Sequence, residues 1–422
     1  MAYKRIKGTK DILPDEVWKW EFVEGIIKKH LKNSGYREIR TPIFEMTELF
    51  TRSIGEETDV VSKEMYTFED KGGKSLTLRP ELTAPVIRAY IQNKMNQINP
   101  IKKLYYIGSL FRQERPQKGR LRQFNQFGIE VIGAPTPEAD AEVIRLMYDI
   151  FIDLGINQMK VKINSIGGKE SRTAYLKILA DTLNPHFDQL CSTCQTRFNK
   201  NILRIFDCKN DNCQSILDDY APAIVDHLNK DEKQHFAEVK MLLDATKTPY
   251  SVEKKLVRGL DYYTQTTFEI SSSLLGSQDA ICGGGRYDNL VEDLGAKSTP
   301  AVGVACGIER LLLILDEQDN WGGNEESTIF FVTLGEKAII KGFEFVTDFR
   351  KAGISAEMDF MRRSMKAQMR NAGKRNANYV IIIGDQEVDD KIVKMKNMSK
   401  GEQFDVSFDG LIEKVQQLLK RL

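Results

Sequence analysis

The chain has 422 residues, 61 of them basic and 60 acidic, and 41% are hydrophobic. That length predicts two to four domains rather than one core. A formal net charge of +1 excludes a protein that grips nucleic acid through an overall positive field, so any such binding must use local patches.

The opening Met1-Ala2-Tyr3-Lys4-Arg5-Ile6-Lys7-Gly8 is charged and lacks an apolar centre, so no signal peptide is expected. Residues 14–35 predict a helix: Pro14 and Asp15 open it, Trp20, Val23, Ile27 and Leu31 form an apolar stripe, and Gly35 stops it. Residues 36–44 are strand-like, interrupted by Pro42. Strands are expected next at 65–68, 75–79, 104–111 and 123–132, joined by polar turns such as Asp70-Lys71-Gly72-Gly73. That hairpin spacing favours an antiparallel sheet. Residues 138–154 return to helix.

Residues of about 170–250 change character, being helical, polar and home to four of the six cysteines; they are expected to be an insertion. Strand signals resume near 252 and at 267–270, and a buried helix is expected from 303 to 315. Trp321-Gly322-Gly323-Asn324-Glu325-Glu326-Ser327 is linker-like. After it, strands (328–334, 355–358, 379–383 and one more) alternate with helices (337–352, 365–375, 411–422), the pattern of a small separate α/β domain. No apolar run approaches the ~20 residues that cross a bilayer. Six cysteines in this length do not make a disulfide scaffold, and a reducing cytoplasm is the expected location.

Common nucleotide motifs fail: a P-loop would need glycine where Phe68 stands, and a dinucleotide fingerprint would need glycine at Asp288. Five other segments carry chemistry. Phe111-Arg112-Gln113-Glu114-Arg115-Pro116 leads into a turn and a return strand, and guanidinium forks at such a turn suit phosphate. On the return strand, Phe127, Ile129 and Val131 share one face, and Gln126, Gly128 and Glu130 the other. That second face suits a polar ligand or plain solvent. In Arg79-Pro80-Glu81-Leu82-Thr83, Glu81 and Thr83 either point together at an ammonium group or form a helix N-cap. Leu256-Val257-Arg258-Gly259-Leu260-Asp261-Tyr262-Tyr263-Thr264 sets an arginine and two phenols in a turn, where the arginine needs an anion partner. In Cys282-Gly283-Gly284-Gly285-Arg286-Tyr287-Asp288, the glycines let backbone approach a flat ligand. In Gly303-Val304-Ala305-Cys306-Gly307-Ile308-Glu309-Arg310-Leu311, Gly303 and Gly307 are expected one helical turn apart. Arg310, the cation of that apolar stretch, is expected to be paired or bound to phosphate.

In this order the segments resemble the histidine-specific branch of the class II aminoacyl-tRNA synthetases, over nearly the whole chain. Residues 36–41 with Pro42 look like that class's first motif, Phe111 to Pro116 like the second, and Gly307-Ile308-Glu309-Arg310 like the third. The Arg258 and Cys282 segments resemble the two histidine-specific signatures. Leu82 stands where the family commonly has glycine, and Asn125 and Leu121 also depart from it.

The resemblance implies an α+β fold with a six-stranded antiparallel catalytic sheet flanked by helices. It implies a catalytic domain over residues 1–325 with the insertion at about 170–250, and a C-terminal α/β anticodon-binding domain over 326–422. The implied activity is activation of L-histidine with ATP and Mg²⁺ to histidyl-adenylate and pyrophosphate, then transfer to tRNA(His), by a cytoplasmic homodimer. Arg112 and Arg258 are the implied catalytic residues. Glu81, Leu82, Thr83, Arg112, Gln126, Glu130, Arg258, Tyr262, Tyr263 and Tyr287 would bind histidine: Glu81, Thr83 and Gln126 at the α-amino end, Glu130 and Tyr263 at the imidazole. Arg112, Glu114 and Arg310 would bind ATP, and Arg115, Gln117, Arg120 and Arg122 the tRNA. A non-catalytic relative that senses histidine for a partner transferase is the alternative, but such relatives typically lack the C-terminal domain and erode the arginines kept here.

Two further features stand outside the signatures. Arg362, Arg363, Lys366, Arg370, Lys374 and Arg375 lie in fourteen residues without an acid, which is either a solvated helix face or an anticodon-arm contact. Cys191, Cys194, Cys208 and Cys213 have a spacing compatible with tetrahedral zinc, although the second pair is wider than usual. The resemblance carries no metal requirement there, so free thiols are expected and no metal ligand is assigned.

Overall fold

The computed structural model describes residues 3–55, 58–97, 99–276, 279–319, 321 and 328–419. The chain divides into two compact units, Met1–Gly322 and Gly323–Leu422. Most of the expected linker, residues 322–327, lies outside the described residues, as do residues 420–422 of the expected last helix.

Among the described residues, eleven strands build the first unit: β1 (Arg37–Glu38), β2 (Phe44–Met46), β3 (Tyr66–Glu69), β4 (Ser75–Leu78), β5 (Lys102–Phe111), β6 (Gln123–Ile132), β7 (Lys160–Ser165), β8 (Ser251–Val252), β9 (Thr264–Ser271), β10 (Ala280–Arg286) and β11 (Ala301–Gly307). Eight of them form one sheet in the order β1-β5-β6-β11-β10-β9-β7-β8. The middle six are antiparallel throughout, as expected. The sheet is nevertheless mixed, because two-residue strands add in parallel at each edge, β1 on β5 and β8 on β7.

One face of this sheet is covered by the helices Pro14–Asn33, Pro137–Asp153, Lys230–Ala245 and Ile308–Gln318. The stripe on the first helix is realised, with Val23, Ile27 and Leu31 fully buried against Phe127, Ile129 and Val131 of β6. Gly35 ends that helix at φ +80°. The opposite face carries the helix Thr83–Gln92 and much of the insertion, whose helices include Lys169–Leu183, Ser192–Lys200 and Asp211–Tyr220. Strand alternation thus sends Phe127, Ile129 and Val131 of β6 into one core and Gln126, Glu130 and Ile132 to the other side.

The strands β7, β10 and β11 are additional to those expected, β7 despite the alternation of Lys160-Val161-Lys162-Ile163. Residues 303–307 are strand rather than the first turn of a helix, which starts at Ile308. Glycine weakens a strand for lack of a side chain to pack. Here the missing side chains admit neighbours. A Cβ on Gly303 would overlap the Glu130 carboxylate, and one on Gly283 the Arg258 guanidinium. Gly128 behaves the same way: the gap it leaves holds the Tyr106 ring rather than a ligand.

β2, β4 and β3 form a separate three-stranded antiparallel sheet. Its register aligns Phe44, Leu78 and Tyr66 in one row and Met46, Leu76 and Phe68 in the next. All six side chains therefore share one face, and Phe44, Met46 and Phe68 are exposed.

The second unit holds β12 (Thr328–Leu334), β13 (Ser355–Met358), β14 (Tyr379–Gly384), β15 (Ile392–Asn397) and β16 (Gln403–Ser407), in the order β13-β12-β14-β15-β16. The first three are parallel and the last two form an antiparallel hairpin, in place of the single strand expected. The helix Glu336–Lys351 buries Phe345, Val346 and Phe349 on one face of the sheet. The helix Met365–Lys374 covers the other, with Ala372 against Phe330 and Val332. Among the described residues, no helix is long and apolar enough to cross a membrane.

Candidate functional site

A cavity of about 370 Å³ opens on the β6–β11–β10 face of the first unit. Of the residues expected to bind substrates, Glu81, Leu82, Thr83, Arg112, Glu114, Arg120, Gln126, Arg258, Tyr262, Tyr263, Tyr287 and Arg310 all line it. They come from six stretches of chain. The sheet brings them together because β10 and β11 lie between β9 and β6.

Of the two readings of the Glu81–Thr83 segment, the structure shows the helix start, with Glu81 rather than Thr83 as the capping side chain. The helix Thr83–Gln92 begins there, and Glu81 caps it, accepting hydrogen bonds from the Thr83 N–H at 2.6 Å and the Ala84 N–H at 2.9 Å. Such bonds to a carboxylate are each worth about 1.5–3 kcal/mol. The Thr83 hydroxyl donates to Glu130 at 2.9 Å. Burial raises the Glu81 carboxyl above its ordinary range even though these amides oppose it.

Glu130 is fully buried behind the lining. Its Oε1 accepts from Thr83 and, at 3.2 Å, from Tyr106; its Oε2 accepts from Tyr287. Burial pushes its pKa to about 8, the nearby Glu81 charge adds to this, and the three hydroxyls only partly offset it. Two buried carboxyls this near each other resist ionising together, and a cationic ligand beside them would relieve that cost.

The phenols form a wall. Tyr262 lies 4.7 Å from Tyr263 and 5.6 Å from Tyr287, centroid to centroid, and all three are buried. The anion partner demanded by Arg258 is Glu269, at 2.8 Å. Its Nε is buried and has no hydrogen-bond partner among the described residues. Arg112 donates through Nε to the Pro80 carbonyl at 2.9 Å, and its guanidinium lies over the Phe124 ring at 5.3 Å. Arg310 donates to the Ala280 carbonyl. Burial lowers its pKa, and the positive charge of Arg120 adds to this. Half-buried guanidiniums with donors to spare have the chemistry that suits an anion.

Residues 8–311 match the family model described as Histidyl-tRNA synthetase, and residues 328–418 match the one described as Anticodon binding domain. The chain belongs to the histidyl-tRNA synthetases. It is 49% identical over 421 residues to a histidine–tRNA ligase of Halothermothrix orenii, covering 99% of this chain and 100% of that one. It is 48% identical to the same enzyme of Acetivibrio thermocellus, covering 97% and 98%. Its fold matches the apo histidyl-tRNA synthetase of S. aureus with a TM-score of 0.83 at 40% identity, covering 98% and 99%.

Not every residue expected of a histidyl-tRNA synthetase reaches the cavity. Arg115, Gln117 and Arg122 sit on the turn between β5 and β6, away from its lining. Arg122 donates to the Glu114 carbonyl at 3.4 Å, Gln117 pairs with Arg120 through backbone, and Arg120 bridges to Glu114 at 3.3 Å. Asn125, a departure from the family, ties the second motif to the third: its N–H donates to Glu309 at 2.8 Å and its side-chain amide at 3.1 Å. Leu82, a second departure, is buried in the core and lines the cavity, and Leu121, the third, also lines it.

Sequence reasoning missed Tyr106, Phe124, Arg204 and Glu309, which also line the cavity. The signal for Tyr106 is its position opposite Gly128 across the β5–β6 pair. Arg204, in the insertion, has no local signal. The reasoning also missed Arg286, which is buried and donates to the Asp140 carboxylate, to Asp288 and to the carbonyls of Ala134 and Thr136. It anchors the strand that carries Tyr287.

Proposed function

We propose that this synthetase joins L-histidine to ATP, giving histidyl-adenylate and pyrophosphate, and then passes histidine to the 3′ end of tRNA(His). The carrying observation is one cavity lined by Glu81, three phenols and the guanidiniums of Arg112, Arg258 and Arg310. That lining complements an amino acid with a cationic amine, a polar ring and a carboxylate, lying beside a polyphosphate. ATP enters as its Mg²⁺ complex, the ion travelling with the substrate phosphates.

In the first step the histidine carboxylate attacks the α-phosphorus and pyrophosphate leaves. This needs alignment and charge neutralisation rather than a protein base. Arg112 and Arg258 are assigned both tasks, with the free Nε of Arg258 available to the incoming carboxylate or phosphate. Arg310 and Glu114 are assigned to the ATP tail and base, and Glu81, Thr83 and Gln126 to the α-amino group. Leu82, Tyr262, Tyr263 and Tyr287 shape the imidazole pocket, with Glu130 acting from behind them. In the second step the terminal ribose hydroxyl of tRNA attacks the activated carbonyl, the mixed-anhydride bond breaks and AMP leaves, with a phosphate oxygen of the adenylate as the assigned proton acceptor. Arg115, Gln117, Arg120 and Arg122 are assigned to the tRNA acceptor stem.

Retention of all three arginines, together with the region matched to the anticodon-binding family, favours charging over a purely histidine-sensing role. Residues 1–325 are taken as the catalytic module and 326–422 as the anticodon module. The exposed apolar face of the β2-β4-β3 sheet, next to the first motif, supports a homodimer. The free cysteines accord with a reducing cytoplasm.

The test is pyrophosphate exchange with each of the twenty amino acids. Histidine alone should support it, and Arg258→Ala should slow it ~10²–10³-fold, the usual cost of removing a charge-stabilising donor. Exchange with another amino acid, or an unaffected Arg258→Ala rate, would overturn the assignment.

A further inference from the structure

We propose that Cys191, Cys194, Cys208 and Cys213 form a tetrathiolate site for one structural zinc ion, which holds the insertion in register with the catalytic loop. The four sulfurs all lie within 4.8 Å of one another. Cys191 Sγ and Cys208 Sγ are 3.8 Å apart. A tetrahedron with zinc–sulfur bonds of ~2.3 Å has an edge of about 3.8 Å, whereas a disulfide spans ~2.05 Å. The thiols are too close to bracket a multi-iron cluster, and thiolate sulfur selects soft tetrahedral ions over hard ones such as Mg²⁺.

The surroundings are built for the same purpose. Cys191 immediately precedes the helix Ser192–Lys200 and Cys194 lies in its first turn; Cys213 lies in the first turn of the helix Asp211–Tyr220. Two knuckles, each a turn running into a helix, thus bring their sulfurs together. Backbone amides donate to the sulfurs: the Cys191 N–H to Cys213 at 3.2 Å, and the Asn210 N–H to Cys208 at 3.4 Å. Such bonds from surrounding groups orient ligands and spread the charge of a thiolate cage. Cys194 and Cys213 are fully buried, while Cys191 and Cys208 are half-buried and leave an entry path.

Between the two knuckles runs the segment 195–207. Its Asn201 donates to Asp261 at 3.2 Å, and its Arg204 donates to the Gly259 carbonyl at 2.5 Å and lines the substrate cavity. Closing the ends of this segment on one ion removes much of its freedom. Both hydrogen bonds fall on the loop that carries Arg258, Tyr262 and Tyr263. The metal therefore acts as a positioning element for that loop rather than as a participant in the chemistry.

The experiment uses the full chain, purified under reducing conditions without chelator. Elemental analysis should find one zinc per chain. After chelation, Co²⁺ added alone should give the intense visible bands and sulfur-to-cobalt charge transfer of a tetrahedral four-thiolate ion, and Zn²⁺ should abolish them stoichiometrically. Cys208→Ser should lose both signals. If that variant fails to fold, the cobalt spectrum of the unaltered chain decides. Chelation should also speed tryptic cleavage within residues 195–207 and restoring zinc should reverse this; no change there would overturn the positioning role. A zinc-free chain whose four thiols alkylate freely, a cobalt spectrum with fewer than four thiolates, or pairing of these cysteines as disulfides in the untreated protein would each overturn the site.

Discussion

Glu130 shows how a buried acid is held and what that costs. The folded chain keeps a proton on this carboxyl up to a pH of about 8, while an unfolded chain releases it near the ordinary glutamate value of ~4.3. Between those values the native state binds the extra proton, so stability falls as pH rises through that window. Glu130→Gln keeps the shape and the hydrogen-bonding hydroxyls but carries no titrating proton. The melting temperature of ligand-free Glu130→Gln should therefore gain on that of the parent steadily from pH 5 to pH 8. Parallel melting curves across that range would contradict a raised Glu130. The alternation of β6 made this acid legible as a member of the polar face, but its depth was not. Depth depends on Tyr106, Tyr287 and Gly303, which sit on or beside three other strands and leave no mark near position 130. Arg258 illustrates the same limit: its need for an anion follows from local sequence, but Glu269 as the partner follows only from the pairing of β9 with β10.

At the scale of elements, apolar periodicity was readable where the two faces of an element differ in polarity, as in the helix Pro14–Asn33 and the middle of β6. It failed at β10 and β11, whose glycines read along the chain as a backbone approach to a ligand and as one turn of a helix. Those strands are buried on both sides, and their glycines are fixed by what lies across the sheet rather than by what lies along the chain. The small β2-β4-β3 sheet carries a different message. Glu45, Thr67 and Thr77 occupy one side, where Thr77 shares hydrogen bonds with Thr47 and Thr67. Phe44, Met46 and Phe68 are exposed on the other. A monomer rarely leaves such a row uncovered, and a twofold interface buries each residue twice. Replacing Phe44 with Asp removes about 2 kcal/mol of apolar burial from each copy, so the proposed dimer should weaken ~10³-fold. Sedimentation of Phe44→Asp at micromolar concentration should show a single chain mass. A dimer persisting at low nanomolar concentration would show that this face is not the interface.

The whole molecule is two units with separate cores, one built on the eight-stranded sheet and one on the five-stranded sheet. Every residue assigned to histidine or ATP lies in the first. In the second, the basic run is only partly neutralised: Arg363 pairs with Asp359 at 2.7 Å and Arg375 with Glu357, both acids coming from β13 or its end. Arg362, Lys366, Arg370 and Lys374 are exposed and make no ion pair among the described residues. Acids absent from the run in sequence thus arrive from a neighbouring strand, and four cations remain for a polyanion. Deleting residues 328–422 should leave histidine-dependent pyrophosphate exchange intact, because the catalytic core closes without them, while charging of tRNA(His) collapses. In the full chain, changing Lys366 and Arg370 to Ala should weaken tRNA binding and flatten its dependence on log salt by about one unit for each phosphate that is no longer neutralised. If the truncated chain charges tRNA normally, or if the double variant keeps the parent's salt slope, this helix does not meet the nucleic acid. A simultaneous loss of exchange would instead show that the first unit depends on the second for its own folding.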